Sequence, residues 1–280
     1  MRRRDVATGL GTGRAHSDSP VAVVLAGGKG RRLLPFTTSF PKPLMPVGDR
    51  PILEILVKQL ARDGFRRLIF AVGHLAELIE AYFGDGSRWG VSIEYNREER
   101  PLGTAGPLRD LASRLPDHFL VLNGDVLSDM NYAGFLERHR QNCPSRLLTI
   151  STHRRLLRSE YGVLSVGDDG SVVEYREKPS YPLCVSEGVY AFSRGIVDWI
   201  PDGLCFDFPD LVVALLVARQ PVVAVDHDGL WLDIGRPDDY EQAQQLIADH
   251  PERFALDGQD TRERQRATSD VAIPVEARGV

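Results

Sequence analysis

Lysine is almost absent from this chain: 4 residues stand against 30 arginines. Three of the four, Lys29, Lys42 and Lys178, fall inside short motifs punctuated by glycine or proline, and only Lys58 lies elsewhere. An ammonium is a compact point charge that a forked guanidinium does not replace at a tight phosphate contact, so these lysines mark candidate anion sites. Cysteine is also scarce. Cys143, Cys184 and Cys205 are scattered and odd in number, which argues against a disulfide framework and predicts a reducing, cytoplasmic compartment. No apolar run reaches membrane-spanning length, so no membrane partner is expected. Met1-Arg2-Arg3-Arg4 has the arginines of a twin-arginine signal but no apolar stretch behind it, and reads as a soluble basic tail. The histidines show no zinc spacing and no H-E-x-x-H, and the serines no G-x-S-x-G elbow, which sets aside zinc-hydrolase, deaminase and α/β-hydrolase chemistry. A net charge of −5 argues against a nucleic-acid partner, whereas a nucleotide enzyme needs positive charge only locally.

What is present is a rhythm. Residues 1–19 are polar and rich in Gly and Ser, which predicts a disordered N-terminal tail. From Val21 the pattern predicts strands over 21–25, 67–73, 91–95 and 119–122, separated by helices over 51–63, 75–83 and 104–115. In the first helix Ile52, Ile55, Leu56 and Leu60 share a face, Pro51 suits the first turn and Gly64 the stop. Such alternation predicts an α/β fold with a doubly wound, mostly parallel sheet. After about residue 145 strands follow one another closely, over 147–152, 162–166, 172–176 and 185–192, with Asp169-Gly170 as a hairpin turn. A helix over 208–219, strands over 222–225 and 231–234 and a helix over 238–248 complete one α/β domain at 20–250 with a β-rich half. Residues 251–280 read as a weakly ordered tail.

The most informative stretch is Leu25-Ala26-Gly27-Gly28-Lys29-Gly30-Arg31-Arg32, followed by Pro35, Thr37 and Pro41-Lys42-Pro43. A strand running into three glycines within four residues lets backbone N–H groups turn toward an anion. Arg31, Arg32 and Lys42 add positive charge, a combination suited to a nucleoside triphosphate. The spacing is neither a Walker A loop nor G-x-G-x-x-G, which disfavours a dinucleotide fold. Asn123-Gly124-Asp125 follows an apolar strand, and Asp233 lies near the end of another. Carboxylates at strand ends face the ligand crevice of an open α/β sheet, and two of them suit Mg²⁺. By itself Asn-Gly-Asp is equally a backbone turn. Likewise, Glu177-Lys178-Pro179 alone is a solvated charge pair before a proline, and Pro101-Leu102-Gly103-Thr104 alone is a loop with a Thr N-cap.

Taken in order, these pieces resemble the signature of the sugar-1-phosphate nucleotidylyltransferases, G-G-x-G-T-R-L-x-P-x-T with a downstream P-K-P. Arg31 stands where that family usually has Thr, while Arg32, Pro35, Thr37 and Lys42 fall on pattern. The resemblance spans about residues 21–247 and includes G-D, E-K-P and W-x-D-I-G. It implies a Rossmann-like nucleotidyltransferase domain with a β-rich sugar-binding half. It implies that Leu25, Ala26, Gly27, Gly28, Gly30, Arg32, Gly103 and Thr104 bind the nucleotide. Arg32 then grips the departing pyrophosphate, Lys42 the α-phosphate, and Asp125 and Asp233 hold Mg²⁺. Gly124, Gly162, Glu177, Lys178 and Gly188 bind the sugar phosphate, Glu177 at hydroxyls and Lys178 at the phosphate. Ser186 replaces the Asn of the family's N-x-G-[IV]-Y, which alters a sugar contact. The segments L-G-T-A-G-P-L, Tyr82-Phe83-Gly84-Asp85-Gly86 and W-L-D-I-G-R-P look most like mannose-1-phosphate guanylyltransferases. The implied reaction joins an NTP, with GTP favoured, to a mannose- or heptose-like sugar 1-phosphate, giving NDP-sugar and pyrophosphate. The alternatives are the same chemistry with dTTP, UTP or ATP and another hexose 1-phosphate, or a silent nucleotide-sugar-binding subunit. Family members are commonly dimers or tetramers, so a homo-oligomer is an expectation.

Overall fold

A computed structural model describes residues 19–141 and 146–254. Cys143 and nearly all of the two expected tails lie outside the described residues. In chain order the strands are β1 (Val21–Ala26), β2 (Pro46–Val47), β3 (Arg50–Pro51), β4 (Arg67–Val72), β5 (Ser92–Arg97), β6 (His118–Asn123), β7 (Val126–Ser128), β8 (Leu148–Arg158), β9 (Val163–Val166), β10 (Val172–Arg176), β11 (Ser180–Ser193), β12 (Val222–Asp226) and β13 (Trp231–Asp233). The α-helices are α1 (Ile52–Arg62), α2 (Ala76–Phe83), α3 (Pro107–Asp110), α4 (Tyr132–Gln141), α5 (Phe208–Val217) and α6 (Pro237–Asp249).

Seven strands form one sheet in the order β12-β8-β11-β6-β1-β4-β5. β1 pairs in parallel with β4 and β6, β4 with β5, and β12 with β8, while β11 runs against both its neighbours. The sheet is therefore mostly parallel, as the alternation of strands and helices predicts. A parallel sheet needs cover on both faces, which is why its central strands read as continuous apolar runs. Along β1, Val21 and Val23 pack with Ile69, Phe119 and Val121 under Leu211 and Leu215 of α5. Ala22, Val24 and Ala26 point the other way, toward Leu53, Leu56 and Leu60 of α1 and Ile79 and Phe83 of α2. A third core joins Leu33 and Met45, which follow the glycine loop, to Leu232 and Ile234 around β13 and Ala243 and Ile247 of α6. It fastens the C-terminal elements against the loop. Pro251–Phe254 adds a short 3-10 turn whose Phe254 is buried in the same core.

Several elements differ from the sequence expectation. The helix expected over 104–115 is only the four-residue α3. Beyond Asp110 the bonds tighten to i→i+3, from Ala112 N to Arg109 O and from Arg114 N to Leu111 O. Thr104 does not cap α3. Its hydroxyl accepts from Phe208 N at 2.9 Å and donates to Asp207 at 3.1 Å, so it serves the start of α5. The helix α4, not foreseen, buries Tyr132, Phe135, Leu136 and His139 at helical spacing.

β8 and β11 are also longer than expected. Residues 153–158 of β8 and 180–185 of β11 pair only with each other, past the reach of β6 and β12. With the β9–β10 hairpin between them in the chain, they form an arm. Among the described residues no helix is long and apolar enough to cross a membrane.

Candidate active site

The glycine loop leaves β1 at Ala26 and folds back on the chain that follows it. Gly30 has φ 58°, and a Cβ there would lie 2.9 Å from Thr37 Cγ2 and 3.2 Å from Lys42 Cβ. Glycine is therefore required by both conformation and space. The Thr37 hydroxyl donates to the Gly30 carbonyl at 2.9 Å, which ties the loop to the P-K-P segment. Lys42 opens a single 3-10 turn, Lys42–Leu44, whose bonds run from Leu44 N to Pro41 O and from Met45 N to Lys42 O. The turn brings Lys42 to the wall of a cleft of about 430 Å³, where it is 7% exposed. All eight residues expected at the nucleotide, from Leu25 and Ala26 through Gly27, Gly28, Gly30 and Arg32 to Gly103 and Thr104, line this cleft, as does Asp125.

Asp125 follows β6 directly. β13 pairs antiparallel with β7, placing Asp233 opposite Val126 and so beside Asp125. Lys42 Nζ is ion-paired with Asp125 and lies 3.9 Å from Asp233 Oδ1. Two carboxylates far apart in sequence thus meet at one ammonium. Burial raises the Asp233 carboxyl above its ordinary value, and the Asp125 charge raises it further, against the opposing pull of Lys42 and Arg32. A half-buried pair of oxygen donors under mutual repulsion matches the preference of Mg²⁺ for few, hard protein ligands. The Arg32 guanidinium completes this edge beside Gly235, where a Cβ would stand 3.2 Å from Nη1.

The opposite wall holds a residue that the motifs did not reveal. Glu98 lines the cleft, accepts from Leu102 N at 3.0 Å, and has Oε1 3.2 Å from where a Gly27 Cβ would stand. Burial pushes its carboxyl up from the ordinary value. Its sequence context, Arg97-Glu98-Glu99-Arg100, reads as a solvated charge run. A second hollow of about 560 Å³ shares Gly27, Gly28, Gly30 and Glu98 with the cleft and extends it toward His74 and Arg100. Gly103, with φ 78°, lets this wall close. A Cβ there would meet Phe206 O at 2.6 Å.

The residues expected at the sugar phosphate divide into two groups. Gly124 is buried behind the cleft, its N–H bonded to Leu25 O at 2.9 Å, and Gly188 lies against the side chain of Asn123, which lines the cleft. Gly162, Glu177 and Lys178 are on the arm and do not line the cleft. There the Tyr175 ring covers Gly162 and its hydroxyl bonds Glu177. Lys178 is exposed, with a left-handed φ of 43°.

A seven-stranded, mostly parallel sheet with a glycine loop, a buried lysine and two carboxylates at strand ends is the framework of an enzyme that handles nucleotides. Residues 21–250 match the family described as Nucleotidyl transferase. A UTP–glucose-1-phosphate uridylyltransferase of Synechocystis sp. is 36% identical over 239 residues, covering 79% of this chain and 62% of the relative. A mannose-1-phosphate guanylyltransferase of Mycobacterium tuberculosis is 36% identical over 224 residues, covering 78% and 62%. The chain belongs to the nucleotidyl transferase family, in the sugar-1-phosphate nucleotidylyltransferase group. It spans about 62% of the length of these two relatives. Among solved structures, HddC from Yersinia pseudotuberculosis complexed with GMP-PN is 25% identical with a TM-score of 0.62, covering 81% of this chain and 99% of that one.

Proposed function

We propose that the cleft transfers a nucleotidyl group from an NTP to a sugar 1-phosphate, releasing pyrophosphate and an NDP-sugar. The observation that carries this reading is the meeting of Lys42 with Asp125 and Asp233 at the mouth of the glycine loop. The triphosphate lies along the backbone of Gly27, Gly28 and Gly30. Arg32 holds the departing pyrophosphate, and Lys42 offsets charge on the α-phosphate. An oxygen of the sugar phosphate attacks the α-phosphorus in line while the bond to pyrophosphate breaks. The phosphate monoester is already a competent nucleophile, so no covalent enzyme intermediate is needed. Catalysis is positioning plus charge neutralisation. Asp125 and Asp233 would hold Mg²⁺, which when bound supplies further neutralisation at the α-phosphate. Glu177 would meet the sugar hydroxyls and Lys178 the attacking phosphate once the arm, which does not line the cleft here, closes over the bound sugar.

Glu98 favours guanine. A carboxylate only accepts hydrogen bonds. Guanine presents N1–H and N2–H₂ side by side as donors, whereas uracil and thymine present a single N–H between two carbonyl acceptors that a carboxylate repels. The guanylyltransferase relative and the GMP-PN complex of HddC support GTP. The uridylyltransferase relative keeps UTP with a glucose-like sugar as the second reading. The favoured acceptor is a mannose- or heptose-like 1-phosphate. A panel of NTPs crossed with sugar 1-phosphates, scored by product mass, tests both halves. GTP with a manno-configured sugar is the expected best pair. The Glu98→Gln variant should lose about tenfold for GTP relative to UTP and dTTP, the value of one good base-edge contact. An unchanged preference removes Glu98 as the reader of the base, and nucleotide binding without turnover across the whole panel favours a silent subunit.

A further inference from the structure

A second group of donors gathers away from the cleft, where β8, β11 and the link from β12 to β13 meet. His153 comes from β8, Glu187 from β11, and His227 directly follows β12. One donor atom from each lies within 4.8 Å of the other two. His227 Nδ1 is 2.8 Å from Glu187 Oε1, and His153 Nδ1 is 3.6 Å from the same oxygen. Bonds of about 2.1 Å in a tetrahedral zinc site place neighbouring donors about 3.4 Å apart, a value these spacings straddle.

We propose that His153, Glu187 and His227 form a second metal site, selective for a divalent transition ion such as Zn²⁺. Two imidazoles and one carboxylate are the donor chemistry of zinc and its neighbours, whereas the all-oxygen pair in the cleft suits Mg²⁺. The surroundings orient two of the three donors, His227 and Glu187, as metal sites require. His227 Nε2 faces Asp129 Oδ1 at 3.1 Å, which leaves Nδ1 to the ion. Asp129 is itself fixed by Leu230 N at 2.9 Å and by Arg253. The Ser151 hydroxyl donates to Glu187 Oε2, and the Trp231 indole N–H donates to the Glu187 carbonyl at 3.0 Å. The Glu187 side chain is wholly buried. A cavity of about 300 Å³, lined by Ser151, Asn131, Asp226 and His227, reaches the His227 side of the cluster. Without an ion, His153 Nδ1 carries a proton that it donates to the His227 carbonyl at 3.0 Å, and His227 Nδ1 carries one that it donates to Glu187. Ion binding replaces those protons and releases them to solvent. The ion stitches three chain segments together four residues before β13 begins at Trp231, so its role is structural.

Co²⁺ titrated into the EDTA-treated full chain, with Zn²⁺ as competitor, tests the site. The expected result is a saturable ligand-field absorption of four-coordinate Co²⁺ that Zn²⁺ displaces, together with a rise in Tm on adding Zn²⁺. The double variant Asp125→Asn/Asp233→Asn keeps the band, because the cleft carboxylates are not its ligands. His153→Gln loses both the band and the rise in Tm, and Asp129→Asn weakens Co²⁺ binding about ten- to a hundredfold. His153 is partly exposed, so its variant is the one expected to stay folded, and its own melt without metal checks this. Absence of a saturable band in the wild type, a band that survives His153→Gln, or a band that vanishes with the cleft carboxylates overturns the proposal.

Discussion

β1 and β10 both lead into motifs expected at the substrates, yet one is buried at nearly every position and the other exposed at all of them. β1 ends in the glycine loop at the centre of a sheet covered on both faces. β10 ends at Glu177 and Lys178 on a two-stranded hairpin whose Leu164, Val166, Val172, Val173 and Tyr175 are exposed. The triphosphate side of the proposed site is therefore built on rigid packing, which suits groups that must stabilise charge without moving. The sugar side stands on an arm with few buried contacts, the kind of region that opens locally at low free-energy cost. In the proposed reading a preformed wall would meet the base and phosphates, and the sugar would be met by an element that can change its residues, as Ser186 does within the Ser186-Glu187-Gly188-Val189-Tyr190 segment, without disturbing the core.

The largest expected effect tests the rigid half. Asp125→Asn keeps the size of the side chain and removes one of the charges gathered at Lys42. Turnover should fall by about 10³-fold, the scale of losing a preorganised electrostatic contact, with the melting temperature little changed. Pyrophosphate release measured at saturating NTP decides this, and near-normal release would falsify the roles given to Asp125 and Lys42. The packing difference can be measured directly. Leu120→Ala, in the fully buried centre of β6, should cost about 2–5 kcal/mol in denaturant unfolding. Val166→Ala, 60% exposed on the arm, should stay within about 0.5 kcal/mol. Equal losses at the two positions would mean that the arm is packed against something as firmly as the core.

A third test falls on the seam between the halves. His139 of α4 is fully buried, with Nδ1 2.9 Å from the Thr149 hydroxyl on β8 and Nε2 3.1 Å from the Ser193 hydroxyl on β11. Burial, then His118 and the nearby Arg146 and Arg140, pushes its imidazole down to about 4. The unfolded chain therefore takes up this proton first as pH falls. Stability is intact above the ordinary histidine value of 6.5 and declines as pH drops from there toward 4. The loss is on the order of 3 kcal/mol, and His139→Gln should lack most of it. His118, also held down by burial, titrates in the same direction and leaves a smaller residual slope in the variant. Parallel acid limbs for wild type and variant would remove His139 from the account.

The same contrast explains what could be read from the sequence. The central strands and α1 were legible because burial on a fixed face writes a period into the residues. Pro51, Gly64 and the Asp169-Gly170 turn marked ends and corners for backbone reasons of their own. The nucleotide wall was legible because its glycines mark places where a side chain does not fit: Gly30 has a φ of 58° that few other residues adopt, and a Cβ at Gly27 would lie 3.2 Å from Glu98 Oε1. α4 carried its pattern less clearly, since His139 occupies a core position where an apolar residue was looked for. α3 stopped early because its later carbonyls and N–H groups found tighter i→i+3 partners and Arg67, which donates to Arg114 O at 2.8 Å. Glu98 lay in a charged run, and only the fold shows that one of its four charges turns inward. The His153, Glu187 and His227 group had no motif at all, because its members come from three strands or strand ends that are neighbours only after the sheet is assembled.

Lys178 offers the smallest and most discriminating test. It is one of three described non-glycine residues with a positive φ, and a left-handed lysine costs about 1 kcal/mol that glycine would not incur. Strain of this kind persists where the surrounding structure holds a side chain for use. In Lys178→Gly the relief of strain and the greater freedom of the unfolded chain nearly cancel, so Tm should move by only a few degrees in either direction. The KM for the sugar 1-phosphate should rise roughly tenfold, as expected when one partly solvated charge-assisted contact is lost, while the KM for the NTP stays the same. If both KM values rise together, the arm is not a separate sugar-binding element but part of the same rigid wall as the glycine loop. If neither moves, Lys178 is a solvated charge at a turn, and the attacking phosphate must be held from the core side, where Lys42 and Arg32 already stand.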